Sequence, residues 1–121
     1  MTEKLRVIVA DDEEYVRLGL AAKVGWQELG LELLAAVSNG REVLELLAES
    51  DVDIVVTDIM MPEMDGLTLI EEATRGDRHP RFIVLSGYGE FEFAQRAMER
   101  GVRHYVLKPT KPKELEQLLS Q

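Results

Sequence analysis

The sequence contains no cysteine. That excludes a disulfide framework and any thiolate metal site, and it fits a reducing compartment. No apolar stretch approaches the roughly 20 residues that a membrane-spanning helix needs, and there is no basic-then-apolar leader, which argues against membrane spans and secretion. Histidine is limited to His79 and His104, and neither has a cysteine or serine partner in a catalytic pattern. With no histidine pair, zinc has no ligand set to draw on. Positive charge is also in deficit, because 14 basic residues stand against 23 acidic ones for a formal charge of -9. Such a surface repels nucleic acid and anionic membrane. Internal repeats, low-complexity segments and the spacing of a calcium-binding EF-hand loop are missing too. The expectation is a cytoplasmic chain with no direct nucleic-acid or membrane partner.

What is present is a chain of 121 residues with 45% hydrophobic content, enough for a single well-filled core. One domain spanning 1–121 is expected, with any carboxyl-terminal effector domain absent from this chain. Compact aliphatic runs predict strands at Leu5–Ala10, Leu33–Val37, Asp53–Thr57, Arg81–Ser86 and Arg103–Leu107. Between them lie helical spacings, carried by Val16, Leu20 and Val24, by Val43, Leu44 and Leu47, by Leu67, Ile70 and Ala73, by Phe91, Ala94 and Met98, and by Leu115, Leu118 and Leu119. Asn39, Asp65 and Thr110 suit helix N-caps, and Gly101 suits the end of the fourth helix. "KVGWQELGLE" reads as a helix exit leading into strand two, with Trp26 as packing, and Phe91 and Phe93 read as core or partial core. Runs such as Val7-Ile8-Val9 and Ile54-Val55-Val56 imply strands buried on both faces. Right-handed crossovers then give an α/β fold, a doubly wound (βα)5 parallel sheet in three α/β/α layers.

Ligand sites in open parallel sheets lie beyond the carboxyl ends of the strands. Strand one ends at Asp11-Asp12, strand three at Asp58 in "VVTDIMMPEMDG", strand four at Ser86 in "IVLSGYG" and strand five at Lys108 in "YVLKPTKP". Each has an ordinary reading on its own. Asp11 and Asp12 can be helix caps, Glu13 and Glu14 first-turn charge, Asp58 a turn residue, Ser86 a loop hydroxyl and Lys108 a solvated cation. Their placement on one rim favours a joint reading. Carboxylates of Asp11, Asp12 and Asp58 held about 5 Å apart would repel by on the order of 3 kcal/mol per pair at an effective dielectric near 20. Such a cluster asks for a hard divalent cation, and the donor set describes Mg2+ better than an all-protein calcium cage. Beside that ion Asp58 can act as a nucleophile, with Lys108 and Ser86 meeting phosphoryl oxygens.

"VADDE", "VVTDIMMPEMDG", "VLSGYG" and "YVLKP" in this order resemble the response-regulator receiver domains of bacterial two-component signalling. The resemblance spans essentially the whole chain. It implies the flavodoxin-like strand order 2-1-3-4-5 and phosphoryl transfer from a sensor histidine kinase to Asp58. It also implies that Asp12, Asp58 and the main-chain carbonyl of Met60 bind Mg2+ directly, with Asp11 acting through a water. Ser86 and Lys108 would contact the phosphoryl group, Tyr105 would be the aromatic switch, and the Lys108-Pro109 bond would be cis. Ser86 stands where threonine is commoner, and the Met60 side chain would face Tyr88 beside the phosphate. "VGWQELG" and "LSGYGEFEFAQRAMERGVRHYVLKP" resemble receivers of AraC-type DNA-binding regulators, which implies transcriptional output. The functional alternative for Phe91 and Phe93 is that the fourth helix, fifth strand and fifth helix form a face that changes on phosphorylation and binds a partner or a second copy, a homodimer. The alternative is a Mg2+-dependent phosphohydrolase with an aspartyl nucleophile. "DIMMP" lacks the second aspartate two residues on that such enzymes use, and the chain leaves no room for a cap over a substrate.

Overall fold

A computed structural model describes residues 4–75, 79–87, 89–102, 104–108 and 111–120, and the side chain of Phe91 also lies outside the described set. The elements alternate without exception: β1 (Leu5–Ala10), α1 (Glu14–Lys23), β2 (Leu31–Val37), α2 (Gly40–Glu49), β3 (Ile54–Asp58), α3 (Gly66–Ala73), β4 (Arg81–Ser86), α4 (Phe91–Glu99), β5 (His104–Leu107) and α5 (Pro112–Leu119). The strands form one parallel sheet in the order β2-β1-β3-β4-β5.

Successive strand residues point to opposite faces, so the inner strands β1, β3 and β4 each supply two cores. Ile8, Ala10, Val55, Phe82 and Val84 face one way and meet Val43 of α2, Leu69 and Ile70 of α3 and Ala94 and Ala97 of α4. Val7, Val9, Val56, Leu85 and Val106 face the other way and meet Leu20 of α1 and Leu115 of α5. This is the three-layer arrangement that the continuous aliphatic runs imply. Each fully buried aliphatic side chain contributes about 1.5–3 kcal/mol, which is why the sheet interior tolerates so few polar residues. The exceptions, buried Asp11, Thr57, Asp58 and Ser86, all cluster at the carboxyl ends of the central strands.

Helix ends follow local chemistry. Asn39 caps α2 by accepting the Glu42 N–H at 2.9 Å, and Asp65 caps α3 by accepting the Thr68 N–H at 2.8 Å. Gly101 takes the left-handed conformation (φ 100°) just after α4, where a side chain would be strained. Thr110, the expected cap of α5, lies outside the described residues, as do Tyr88, Arg103 and Pro109 with the expected cis bond. Between α1 and β2 the chain turns over Trp26, which is buried and donates its indole N–H to the Ala21 carbonyl at 3.2 Å. The Gly25 N–H donates to Glu116 at 2.7 Å, tying this turn to α5. Val24 is the cap residue of α1 and not part of its body. Strand β2 starts at Leu31, two residues earlier than its aliphatic run suggested, because Gly30 (φ 75°) completes the turn and releases the chain into the sheet. Strand β3 runs from Ile54 through Asp58, one residue later than expected at both ends.

Candidate functional site

Asp11 follows β1 and Asp58 ends the neighbouring strand β3, and Lys108 follows β5, two strands from β3. The long lysine side chain spans that gap. Its ammonium lies 2.8 Å from Asp58 Oδ2, 2.9 Å from Glu13 Oε1 and 3.0 Å from Asp11 Oδ2. One oxygen each from Asp11, Asp12 and Asp58 come within 4.8 Å of one another. The rim that the strand ends pointed to therefore exists, with three acids and the cation in one place. Ser86 is next to it in register, since Asp58 pairs with Leu85 and Ser86 follows. Its side chain is buried, and among the described residues its hydroxyl reaches only the Gly87 carbonyl at a long 3.4 Å. Met60 and Tyr105 are exposed, Tyr105 on β5 opposite Val84.

The two carboxylate oxygens of Asp11 face different ways. Oδ1 accepts the Glu13 N–H at 2.9 Å and so organises the turn into α1. Oδ2 faces the site. Although the Lys108 ammonium is at ion-pair distance, it is not aligned for a hydrogen bond, and Oδ2 is a fully buried acceptor without a hydrogen-bond donor among the described residues. An unsatisfied buried carboxylate oxygen is costly. A cluster of hard oxygen donors with one such orphan fits a hard divalent cation, and Asp11, Asp12 and Asp58 are the residues that can hold it.

Electrostatics follow from burial. Desolvation pushes the Asp58 carboxyl up to about 6, the neighbouring charges of Asp11 and Glu90 push the same way, and Lys108 opposes them. Burial raises Asp11 too, against the pull of the Glu13 N–H and of Lys108. For Lys108 burial acts to lower the pKa, but its contacts with Asp58, Glu13 and Asp11 outweigh that, and the ammonium is held protonated more firmly than usual. The site thus has a permanent cation beside a buried Asp58 carboxylate that is ionised at neutral pH.

Three contributors escape a reading by residue type. Glu13, taken as first-turn charge, makes no cap hydrogen bond and instead holds Lys108. Glu90 accepts the Gly87 N–H at 2.6 Å and fixes the loop after β4. Gly66 lets the loop after β3 close: its N–H donates to the Ile59 carbonyl at 2.6 Å, and a Cβ there would overlap the Asp58 carbonyl oxygen. The sequence signal for Glu13 and Glu90 is proximity to a strand end, and Gly66 closes the motif "VVTDIMMPEMDG". His79 and His104 are exposed and take no part.

Residues 7–120 match the family model described as the response regulator receiver domain. The transcriptional regulatory protein YesN of Bacillus subtilis is 44% identical over 104 residues, covering 86% of this chain and 28% of YesN. The transcriptional regulatory protein HptR of Staphylococcus aureus is 30% identical, covering 96% of this chain and 45% of HptR. The chain therefore spans less than half the length of these relatives. Among solved structures, the receiver domain of AraT, a response regulator from Geobacillus stearothermophilus, superposes with a TM-score of 0.88 at 39% identity, over 96% of this chain and 90% of that one. A two-component transcriptional regulator AraC from Clostridium phytofermentans gives 0.87 at 29% identity, over 98% and 92%.

Proposed function

The chain belongs to the response regulator receiver domain family, and on that premise we propose that Asp58 is its phosphoacceptor, taking a phosphoryl group from a phosphohistidine of a sensor kinase. In that step the P–N bond to the donor imidazole breaks, a P–O bond forms to a carboxylate oxygen of Asp58, and the nitrogen leaves with the bonding pair. The observation that carries the proposal is the placement of Asp58: buried, ending the central strand, 2.8 Å from Lys108 and beside Asp11 and Asp12. A carboxylate needs no general base to attack, so alignment and neutralisation of oxygen charge are what the site has to supply.

Each residue then has a role. Lys108, held protonated, pairs with a phosphoryl oxygen. Ser86 lies at the end of the adjacent strand with a poorly used hydroxyl, free to donate to a second oxygen. Asp12, Asp58 and the Met60 carbonyl are the groups for Mg2+, with Asp11 in the outer position. Bound there, the ion would neutralise phosphoryl oxygen charge during transfer. Tyr105, now exposed on β5, is the aromatic group whose surroundings change with Ser86. The output is a changed α4-β5-α5 face, where a homodimer would form, and the whole parent protein would control transcription in the cytoplasm through an AraC-type DNA-binding domain beyond 1–121. A switch needs only a few kcal/mol of differential contact between two states, and a phosphoryl group contacting a lysine, a hydroxyl and a cation can supply it.

The test is phosphorylation with acetyl phosphate and Mg2+ followed by mass spectrometry. One phosphoryl group per chain is expected, absent from Asp58→Asn and absent without Mg2+. Full incorporation in Asp58→Asn would overturn the assignment, and rapid repeated turnover of a phosphate ester would favour the phosphohydrolase reading.

A further inference from the structure

The Lys108 ammonium has three N–H bonds and three carboxylates around it, and only two of those belong to the proposed phosphorylation site. The third, Glu13, follows the aspartate pair at the entrance to α1 and contacts Lys108 at 2.9 Å, the shortest link between that cation and the water-exposed edge of the site. The two partners differ sharply in burial. The Lys108 side chain is 14% exposed and that of Glu13 is 61% exposed, so the carboxylate can swing into solvent while the ammonium cannot.

We propose that Glu13 is a positioning residue that engages the Lys108 ammonium in the resting chain and must release it when a phosphoryl group arrives on Asp58. The inference rests on Asp58 being the acceptor and goes beyond it by giving the resting site a competitor. Before transfer, Asp58 offers Lys108 one carboxylate. After transfer, that carboxylate is a mixed anhydride without its own charge, and a phosphoryl group carrying two negative charges replaces it. An ammonium donating to Glu13 has one fewer N–H to donate to phosphoryl oxygens. Glu13 also adds a negative charge at the open edge, by which an anionic phosphodonor approaches. Both effects act in one direction: the Glu13–Lys108 pair favours the unphosphorylated state and slows its loss.

The expected consequence is that Glu13→Gln, at saturating Mg2+, reacts faster with acetyl phosphate and binds beryllofluoride more tightly. Each change should be about two- to fivefold, the range that a partly exposed ion pair is worth. With acetyl phosphate the acyl C–O–P bridge breaks at phosphorus, acetate leaves with the electron pair, and the new P–O bond is on Asp58. Glu13→Asp separates the two contributions, because it keeps the charge but shortens the side chain by one methylene. If the ion pair is what matters, Glu13→Asp behaves like Glu13→Gln. The Lys108 ammonium resonance, followed by NMR in the resting chain, should shift in both variants, a change that a purely structural role for Glu13 at the helix entrance would not produce. Wild-type rates and affinities in both variants, with the wild type itself phosphorylated, would overturn the inference and leave Asp58 as acceptor. No phosphorylation of the wild type would overturn both.

Discussion

An aspartate borders strand β3 at each end, and the two are treated in opposite ways. Asp53, just ahead of Ile54, is exposed; its carboxylate accepts the Arg6 N–H at 2.8 Å while backbone bonds link Asp53 N–H to the Arg6 carbonyl and the Arg81 N–H to the Asp53 carbonyl. It stitches the amino ends of three strands together. Around it a groove of about 1250 Å3 mixes Lys4 and Arg6 with Glu32 and Asp51, so opposite charges meet in the presence of water. Asp58, five residues on, is buried, has its carboxyl pushed up to about 6, and shares one ammonium with two other acids. The lesson is that a strand-end aspartate is decided by what the crossover loop does with it. At the amino rim the loop leaves the carboxylate outside to seal backbone; at the carboxyl rim the loops bury it among like charges, storing repulsion that a cation can relieve.

The largest effect should come from crowding the Asp58 end. Gly66→Ala puts a methyl group against the Asp58 carbonyl oxygen and 3.0 Å from Ile59 Cα, both backbone atoms that cannot swing aside. A loss of about 3 kcal/mol or more in urea denaturation is expected. Gly19→Ala, inside α1 with nothing within 4 Å of the new carbon, should instead gain up to about 1 kcal/mol. Equal midpoints for the two variants would show that the loop after β3 is not pinned.

Next comes the charge itself. A carboxyl raised from 3.8 to about 6 on folding binds its proton more tightly in the folded chain, so the stabilisation that this proton gives is present below the lower value and lost as pH rises through the upper one. In chelator at neutral pH, Asp58→Asn should therefore be more stable than the wild type by about 3 kcal/mol. The gap should open between about pH 4 and pH 6 and stay level above that. A midpoint at or below wild type throughout would mean that the Lys108 pair outweighs burial, and the contrast with Asp53 would collapse.

Much of this arrangement is legible in the order of residues. The bounds of β1 and β4 coincide with their runs, β1 stopping against Asp11 and β4 lying between Pro80 and Gly87. Strand β2 loses two residues in such a reading, since Leu31 and Glu32 follow a turn glycine and alternate in polarity. The convergence of Asp11, Asp12, Asp58 and Lys108 is legible because topology alone puts parallel strand ends on one rim. What topology cannot specify is the route of a side chain. Whether Lys108 reaches across β4 to Glu13, and whether Asp11 splits its two oxygens between a turn and the site, depends on burial that only packing decides. A run of four acids at a helix start is ordinarily solvated charge, and for Glu14, exposed in the first turn of α1, that remains so.

Two smaller effects sharpen the contrast between the ends of β3. Mg2+ at tenfold its dissociation constant should stabilise the wild type by about 1.4 kcal/mol through mass action, an increment expected to shrink in Asp58→Asn and to persist when Asp53 is altered. Asp53→Ala removes the acceptor of the Arg6 N–H, and water can replace it because the bond is exposed. A loss of about 0.5–1 kcal/mol is expected, with Mg2+ response and phosphate incorporation as in the wild type. The sign is the informative part. Removing the carboxylate at one end of the strand should stabilise the metal-free chain, and removing the one at the other end should weaken it, although both are aspartates and only Ile54 to Thr57 separate them. Stabilisation by Asp53→Ala would mean that the amino rim also stores repulsion, and burial would no longer explain why only one of the two is poised for chemistry.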